Sequence, residues 1–311
     1  MEPVHQPVLV SEVLELLAPD DDGRLLIDAT VGEGGHSVCF LQRFPRIRVV
    51  GIDADEVMLE RARQRLAEFE GRVALVHQWF DTYLQAAPTA ERPDRILMDL
   101  GISMYHFTRA ERGFSFRADE PLDMRLDAER PLADQTKTAA DLVNTLRESD
   151  LADLIYQFGE ERLSRRIAAA ICRERGARPF RTAAQLADII RGAVPSSYRH
   201  GRIHPATRTF QALRIAVNSE LDRVERAIPA ALKMLSPGGR LGVISFHSLE
   251  DRIVKHRFRD AAGTDEYRLL TKKHVTASDE ERAGNSASRS AKFRVIERVT
   301  AAPSDESEVA L

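Results

Sequence analysis

The chain has only two cysteines in 311 residues, Cys39 and Cys172, too few for a disulfide framework or a zinc cage, and no metal is expected. Each lies in an apolar stretch with helical character, Val38-Cys39-Phe40 and Ala170-Ile171-Cys172, so both are expected to be small buried hydrophobes. No run reaches the roughly 18 apolar residues of a membrane span. Met1-Glu2-Pro3-Val4-His5 lacks the basic segment and apolar stretch of a secretory leader. The chain therefore reads as cytoplasmic, with no membrane partner. No internal repeat is visible. The net charge of -3 excludes little, because it averages over regions that differ.

A composition of 43% hydrophobic and 30% charged residues supports a large core under a charged surface. At this length it suits one α/β domain, or one such domain carrying an insertion. Arg24-Leu25-Leu26-Ile27-Asp28 predicts a strand, and a glycine loop follows it. His36 to Phe44 predicts a helix that stops at Pro45. Arg48 to Asp53 predicts a second strand. Asp55 can cap the next helix, where Val57, Met58, Ala62, Leu66 and Phe69 recur at helical spacing. Val73 to Val76, Arg95 to Leu100 and Arg240 to Phe246 are further strands. Ser219 to Leu235 reads as a helix, and Ser248 with Asp251 as a capping-box start. Near-continuous apolar strands separated by helices predict a parallel sheet covered on both faces.

Between about residues 107 and 215 the strand pattern stops and only helical periodicity remains, as in Leu151 to Tyr156, Leu163 to Ile171 and Ala183 to Gly192. The simplest organisation is an α/β domain over 1–106 and 216–300, a helical insertion over 107–215, and a frayed tail at 301–311. Residues 161–215 hold twelve arginines, no lysine, and three acids, Glu161, Glu174 and Asp188. A charge run is usually a solvated helix face. An arginine-rich segment beside a cofactor domain also suits a phosphate-bearing partner.

The loop Asp28-Ala29-Thr30-Val31-Gly32-Glu33-Gly34-Gly35-His36 lets backbone approach a ligand closely, as dinucleotide-binding loops do. Its acids separate the cofactors. Asp28 and Glu33 would repel a pyrophosphate, which argues against a nicotinamide dinucleotide. S-adenosylmethionine (SAM) carries a sulfonium and an ammonium and favours nearby acids. Asp53 ends the second strand and can accept from ribose hydroxyls, the favoured reading over a turn residue capping the next helix. Asp99 ends the fourth strand, at the mouth where open α/β sheets bind ligands. Phe80 could pack on adenine or belong to the core.

Further segments spread over roughly 290 residues. They include His5-Gln6-Pro7-Val8-Leu9, Asp99-Leu100-Gly101-Ile102-Ser103, Pro121-Leu122-Asp123-Met124-Arg125, Tyr156-Gln157-Phe158-Gly159-Glu160-Glu161-Arg162, the run from His204 to Arg214, Ile244-Ser245-Phe246-His247-Ser248 and Arg289-Ser290-Ala291-Lys292. In their joint order the chain resembles the bacterial 16S ribosomal RNA cytosine-N4 methyltransferases, which modify a cytosine of the decoding centre in the small ribosomal subunit. The resemblance implies a Rossmann-like class I methyltransferase fold, SAM as cofactor, and a helical insertion that helps hold the rRNA. It implies that Gly34, Gly35, His36, Asp53, Phe80, Asp99 and His106 line the cofactor site. His106 stands where relatives mostly carry Gln, and Ser103-Met104-Tyr105 where they carry Ser-Ser-Pro.

For such a reaction Asp99 is the candidate proton acceptor. The target base could stack on Tyr105 or Phe107, with Ser245 or His247 nearby. Arg125, His204, Arg208 and Gln211 are candidate RNA contacts, although helix-start architecture explains the last three equally well. Rival readings are a methyltransferase of small molecules or proteins, and a non-catalytic RNA-binding factor that has kept the fold. The sequence leaves the oligomeric state open, a homodimer included.

Overall fold

The apolar runs of the first hundred residues become neighbouring strands: β1 (Leu25–Asp28), β2 (Arg48–Asp53), β3 (Val73–His77) and β4 (Arg95–Asp99), with β5 (Arg240–Ser245) late in the chain. The structure is a computed structural model, and it describes residues 6–20, 25–86, 91–128, 137–201 and 203–299. His5, Arg24 at the expected start of the first strand, and the expected frayed tail at 301–311 lie outside them. The described chain forms two compact units, Met1–Gly101 with Leu221–Leu311, and Ile102–Glu220.

The first unit is built on one seven-stranded sheet, ordered β3-β2-β1-β4-β5-β7-β6. Strands β1 to β5 run parallel. Two strands that the sequence reading did not anticipate, β6 (Tyr267–Leu269) and β7 (Lys292–Arg298), complete the sheet, and β7 is antiparallel to both its neighbours. Charges disguise β7. Arg294 bonds Asp251 at 2.7 Å, and Glu297 takes Arg240 at 2.9 Å and Arg268 at 2.6 Å, so residues that look exposed are paired within the fold.

Strand side chains alternate between the two faces. Ile27, Ile96, Met98, Leu241 and Val243 enter one apolar cluster, while Leu26, Leu97 and Ile244 enter the other. Helices α1 (Val10–Leu16), α2 (Gly35–Arg43) and α3 (Glu56–Arg65) cover the second face, and α4 (Phe80–Ala86) packs on the first. On α3, Met58 and Ala62 are buried as expected, but Val57 is exposed.

The second unit holds α5 (Met104–Thr108), α6 (Ala139–Thr145), α7 (Glu148–Gly159), α8 (Ser164–Ala177), α9 (Ala183–Ala193), α10 (Ser196–Arg199) and α11 (Thr207–Asn218) around their own core. Among the described residues its only β feature is the Pro121–Thr182 bridge. Gly159 lets α7 meet α11, since a Cβ there would lie 2.5 Å from the Arg208 carbonyl oxygen. The chain then continues through α12 (Glu220–Met234), α13 (Ser248–Ala261) and α14 (Asp279–Gly284); α12 and α13 join α4 on the first face of the sheet. Cys39 and Cys172 are free thiols, and both are half-buried rather than enclosed. No described helix is long and apolar enough to cross a membrane.

Candidate active site

In the sheet order, β1 lies between β2 and β4, where successive connections leave in opposite directions. Ligands of open α/β sheets bind at the carboxyl ends of strands at such a switch point. Asp28, Asp53 and Asp99 end these three strands.

Asp28 is 1% exposed. Its Oδ2 accepts from Ser37 Oγ at 2.6 Å, while Oδ1 is buried with no hydrogen-bond partner among the described residues. Burial pushes this carboxyl up to about 6; hydrogen bonds from Ser37 and the Thr30 backbone oppose the rise, and repulsion from Asp53 adds to it. The loop then folds back on β2. The Val31 N–H donates to the Ile52 carbonyl at 2.8 Å, and the Gly32 N–H to Asp53 Oδ2 at 2.9 Å. Gly32 (φ +52°) and Gly34 (φ +80°) take left-handed backbone, which suits residues without a Cβ. Gly34 is the N-cap of α2, and Gly35 and His36 are its first turn.

Asp53 is a backbone organiser. Besides Gly32, it accepts the Asp55 N–H on Oδ1 at 2.9 Å, and Asp55 in turn caps α3 by accepting from Val57. Each carboxylate oxygen offers two lone pairs, so these bonds are compatible with ribose hydroxyls on the same group.

Asp99 is tied to the loop by its own N–H, which donates to Thr30 Oγ1 at 2.7 Å. Its Oδ2 lies 3.5 Å from His36 Nδ1. Its Oδ1 is buried without a hydrogen-bond partner among the described residues. Burial, then the charges of Asp28 and Glu250, hold this carboxyl well above the usual carboxylate range. His36 is clamped from the other side, with Nε2 2.9 Å from the Val8 carbonyl oxygen. A carbonyl can only accept, so Nε2 carries a proton. The Gln6-Pro7-Val8-Leu9 segment thus serves the site by placing that carbonyl; Val8 and Leu9 are fully buried.

Glu33 corrects one expectation. It is buried and paired with Arg61 of α3, so its charge is answered within the protein. The acidic character of the site rests on Asp28 and Asp99. Sequence reasoning had no access to a pairing 28 residues apart, and it also missed Thr30 and Ser37, which hold Asp99 and Asp28 in place.

Phe80 opens α4 and is half-buried against the core of the first face. Beside it the Arg223 guanidinium lies 3.6 Å over the Trp79 ring, and Arg223 and Arg226 both bond the buried Asp81. Ser245 is buried, with Oγ 3.5 Å from the Lys292 carbonyl oxygen. His247 is the N-cap of α13 and forms the capping box with Glu250, one residue earlier than the expected Ser248–Asp251 box.

The second unit holds the other sequence candidates. Tyr105 is half-buried, its N–H bonded to Ser103 Oγ at 3.2 Å. His106 is 5% exposed and meets Phe114 edge-on at 5.3 Å. Arg125 grips Asp123 through Nε at 2.7 Å and Nη2 at 2.8 Å. His204 Nδ1 accepts the Ala206 N–H at 3.2 Å, and its ring stacks on Phe116 at 4.4 Å. Gln211 donates to the Phe158 carbonyl at 3.3 Å, and Arg208 lies 4.0 Å from the buried Glu161. These last three therefore have architectural contacts at the start of α11.

The sequence profile of the MraW methylase family matches residues 2–299. A relative from Treponema denticola named ribosomal RNA small subunit methyltransferase H is 50% identical, over 96% of this chain and 98% of its own. One of the same name from Synechococcus elongatus is 50% identical, over 95% of each chain. A third, from Geobacter sp., is 44% identical, over 95% of this chain and 98% of its own.

Proposed function

The chain belongs to the MraW methylase family, and from that premise we propose that it moves a methyl group from SAM to the N4 amine of a cytosine in the decoding centre of 16S rRNA. One observation carries the cofactor assignment. Asp28 and Asp99 end strands on the two sides of the switch point, and each keeps a buried oxygen without a hydrogen-bond partner among the described residues. Two such carboxylates suit a ligand that brings positive charge and N–H donors, and they oppose a phosphate. Glycines 32 and 34 keep the loop close, and Asp53 suits ribose hydroxyls. Phe80 and His106 complete the proposed lining.

When bound, SAM supplies a methyl group on a sulfonium, ready for in-line displacement. The protein has to align the amine and take a proton from it. The lone pair of a cytosine amine is delocalised into the ring. An acceptor on one amine hydrogen localises that pair, and Asp99 Oδ1 is the proposed acceptor. Its raised proton affinity makes it a stronger base than an exposed carboxylate. His36 and Thr30 hold it in place. Tyr105 and Phe107 are the proposed stacking partners of the base, and Arg125, His204, Arg208, Gln211, Ser245 and His247 are proposed to support the RNA. Free rRNA, isolated small subunits and whole ribosomes from cells lacking the enzyme are the substrates to assay. Methyl-N4-cytidine should appear in at least one, and absence of incorporation in all three would sink the assignment.

A further inference from the structure

Asp81, in the first turn of α4, is a buried charge that the proposed reaction does not use. It is 2% exposed. Arg223 Nη1 donates to its Oδ1 at 2.8 Å, and Arg226 reaches its Oδ2 through Nε at 3.1 Å and Nη2 at 2.7 Å. Both arginines belong to α12, 142 and 145 residues further along the chain. The Arg223 guanidinium also stacks 3.6 Å from the centre of the Trp79 ring, which is itself buried. One carboxylate thus takes two cations and ties the first turn of α4 to α12.

Phe80 stands in the chain between these two anchors, Trp79 and Asp81. The segment just before it is fixed as well. His77 pairs with Asp53 in the β2–β3 ladder, and the Gln78 N–H donates to the Asp53 carbonyl at 3.0 Å. Phe80 therefore follows closely on the strand end that neighbours Asp53, the proposed ribose acceptor. Its ring is half-buried against the apolar cluster that includes Val224 and Ile228 of α12. Buried ion clusters add little net stability compared with apolar packing of the same volume, because the charges lose their hydration. What they fix is geometry. Guanidinium donors on both oxygens of one carboxylate restrict how the first turn of α4 can rotate.

We infer that Asp81, Arg223 and Arg226 are positioning residues for the cofactor: they hold the first turn of α4 against α12 so that Phe80 packs on the adenine of SAM. The inference rests on the cofactor lining proposed above and adds three residues that act behind it. None of the three needs to touch the cofactor. Their effect reaches it through Phe80 and is the same for any ligand that carries the adenosine group. A cluster that served only to join the two helices would change stability and leave the adenine contact as it is.

The test is a double-mutant cycle on the full chain, read as affinity for SAM and for S-adenosylhomocysteine, which shares the adenosine group and lacks the sulfonium. Phe80→Ala should weaken both roughly tenfold, the scale of a base stacked on an aromatic ring. Asp81→Asn should weaken both by about three- to tenfold. The two changes together should cost no more than Phe80→Ala by itself, because Asp81 acts through the ring that has been removed. Circular dichroism reports the fold of each variant. Should Asp81→Asn fail to fold, Arg226→Gln takes its place in the cycle; the Arg226 side chain is 45% exposed, and its loss should be smaller and equally non-additive. Losses that multiply in the double variant overturn the positioning role. So does wild-type affinity in the folded Asp81 or Arg226 variant, or a loss confined to SAM, which would place the effect at the sulfonium. Wild-type affinity in Phe80→Ala removes that residue from the proposed lining, and the positioning role falls with it. If the wild type binds neither ligand, it is the proposed function that fails.

Discussion

A carboxyl group buried at a strand end changes the protein's response to pH in a direction that follows from its surroundings. Asp28 titrates near 6 in the folded chain against an ordinary value of 3.8. The folded state holds the proton more tightly, so the contribution of Asp28 to stability is greatest below pH 4, falls as pH rises to about 6, and is flat above. Two pKa units amount to about 3 kcal/mol. Asp28→Asn should remove most of that fall, so its stability relative to wild type should be higher at about pH 7.5 than at about pH 4.5. Denaturant titrations at both values decide it; an equal difference at both would contradict the assignment. Affinity for a cationic cofactor should move the opposite way, rising through pH 6 as Asp28 ionises. Asp99, which interacts with Asp28, adds a change of the same sign that the variant leaves in place. Replacement of Asp99 itself by Ala should lower turnover by about 10²- to 10⁴-fold. Intact turnover together with intact SAM binding would remove it from the mechanism.

At the scale of single elements, caps and turns carry consequences that can be measured. His247 begins α13 by accepting the Glu250 N–H, so His247→Ala should cost about 1 kcal/mol of stability, and His247→Asn should recover most of it. Gly34 has φ +80°, and a Cβ there would sit 3.1 Å from Leu66 Cδ1. Gly34→Ala should therefore cost about 1 to 2 kcal/mol from backbone strain, read as a lower denaturation midpoint. The legibility of elements followed their apolar continuity. Leu25-Leu26-Ile27 and Ile96-Leu97-Met98 announce strands because both faces are buried. Lys292-Phe293-Arg294-Val295-Ile296-Glu297-Arg298 does not, because its charges find partners on residues distant in sequence. The cap shifted to His247 for a similar reason: a serine followed three residues later by an acid looks sufficient until the neighbouring His–Glu pair makes the same bonds.

On the scale of the whole molecule, charge is divided unevenly. The net value is -3, yet residues 161–215 carry twelve arginines against three acids. Affinity for rRNA should therefore fall by two orders of magnitude or more between about 0.05 and 0.2 M salt. Affinity for SAM should change little, because buried charges are weakly screened. Parallel titrations with both ligands check this, and a salt-independent RNA affinity would argue against phosphate contacts. The turn from Asp28 to His36 was legible in the sequence from its glycines and strand-end acids. Its electrostatics were not. Arg61 answers Glu33, and the buried oxygens of Asp28 and Asp99 emerge only once strands β1 and β4 lie side by side.

The pairing of β4 with β5 has one more consequence, for synthesis on the ribosome. Arg95 lies opposite Arg240, so about 140 residues must be translated before β4 meets its partner. The entire helical unit is made in that interval. Until then Ile96-Leu97-Met98 presents an unpaired apolar edge, the kind of surface that chaperones shield and that aggregates if left open. The nascent chain should be most vulnerable between the completion of β4 and the emergence of β5.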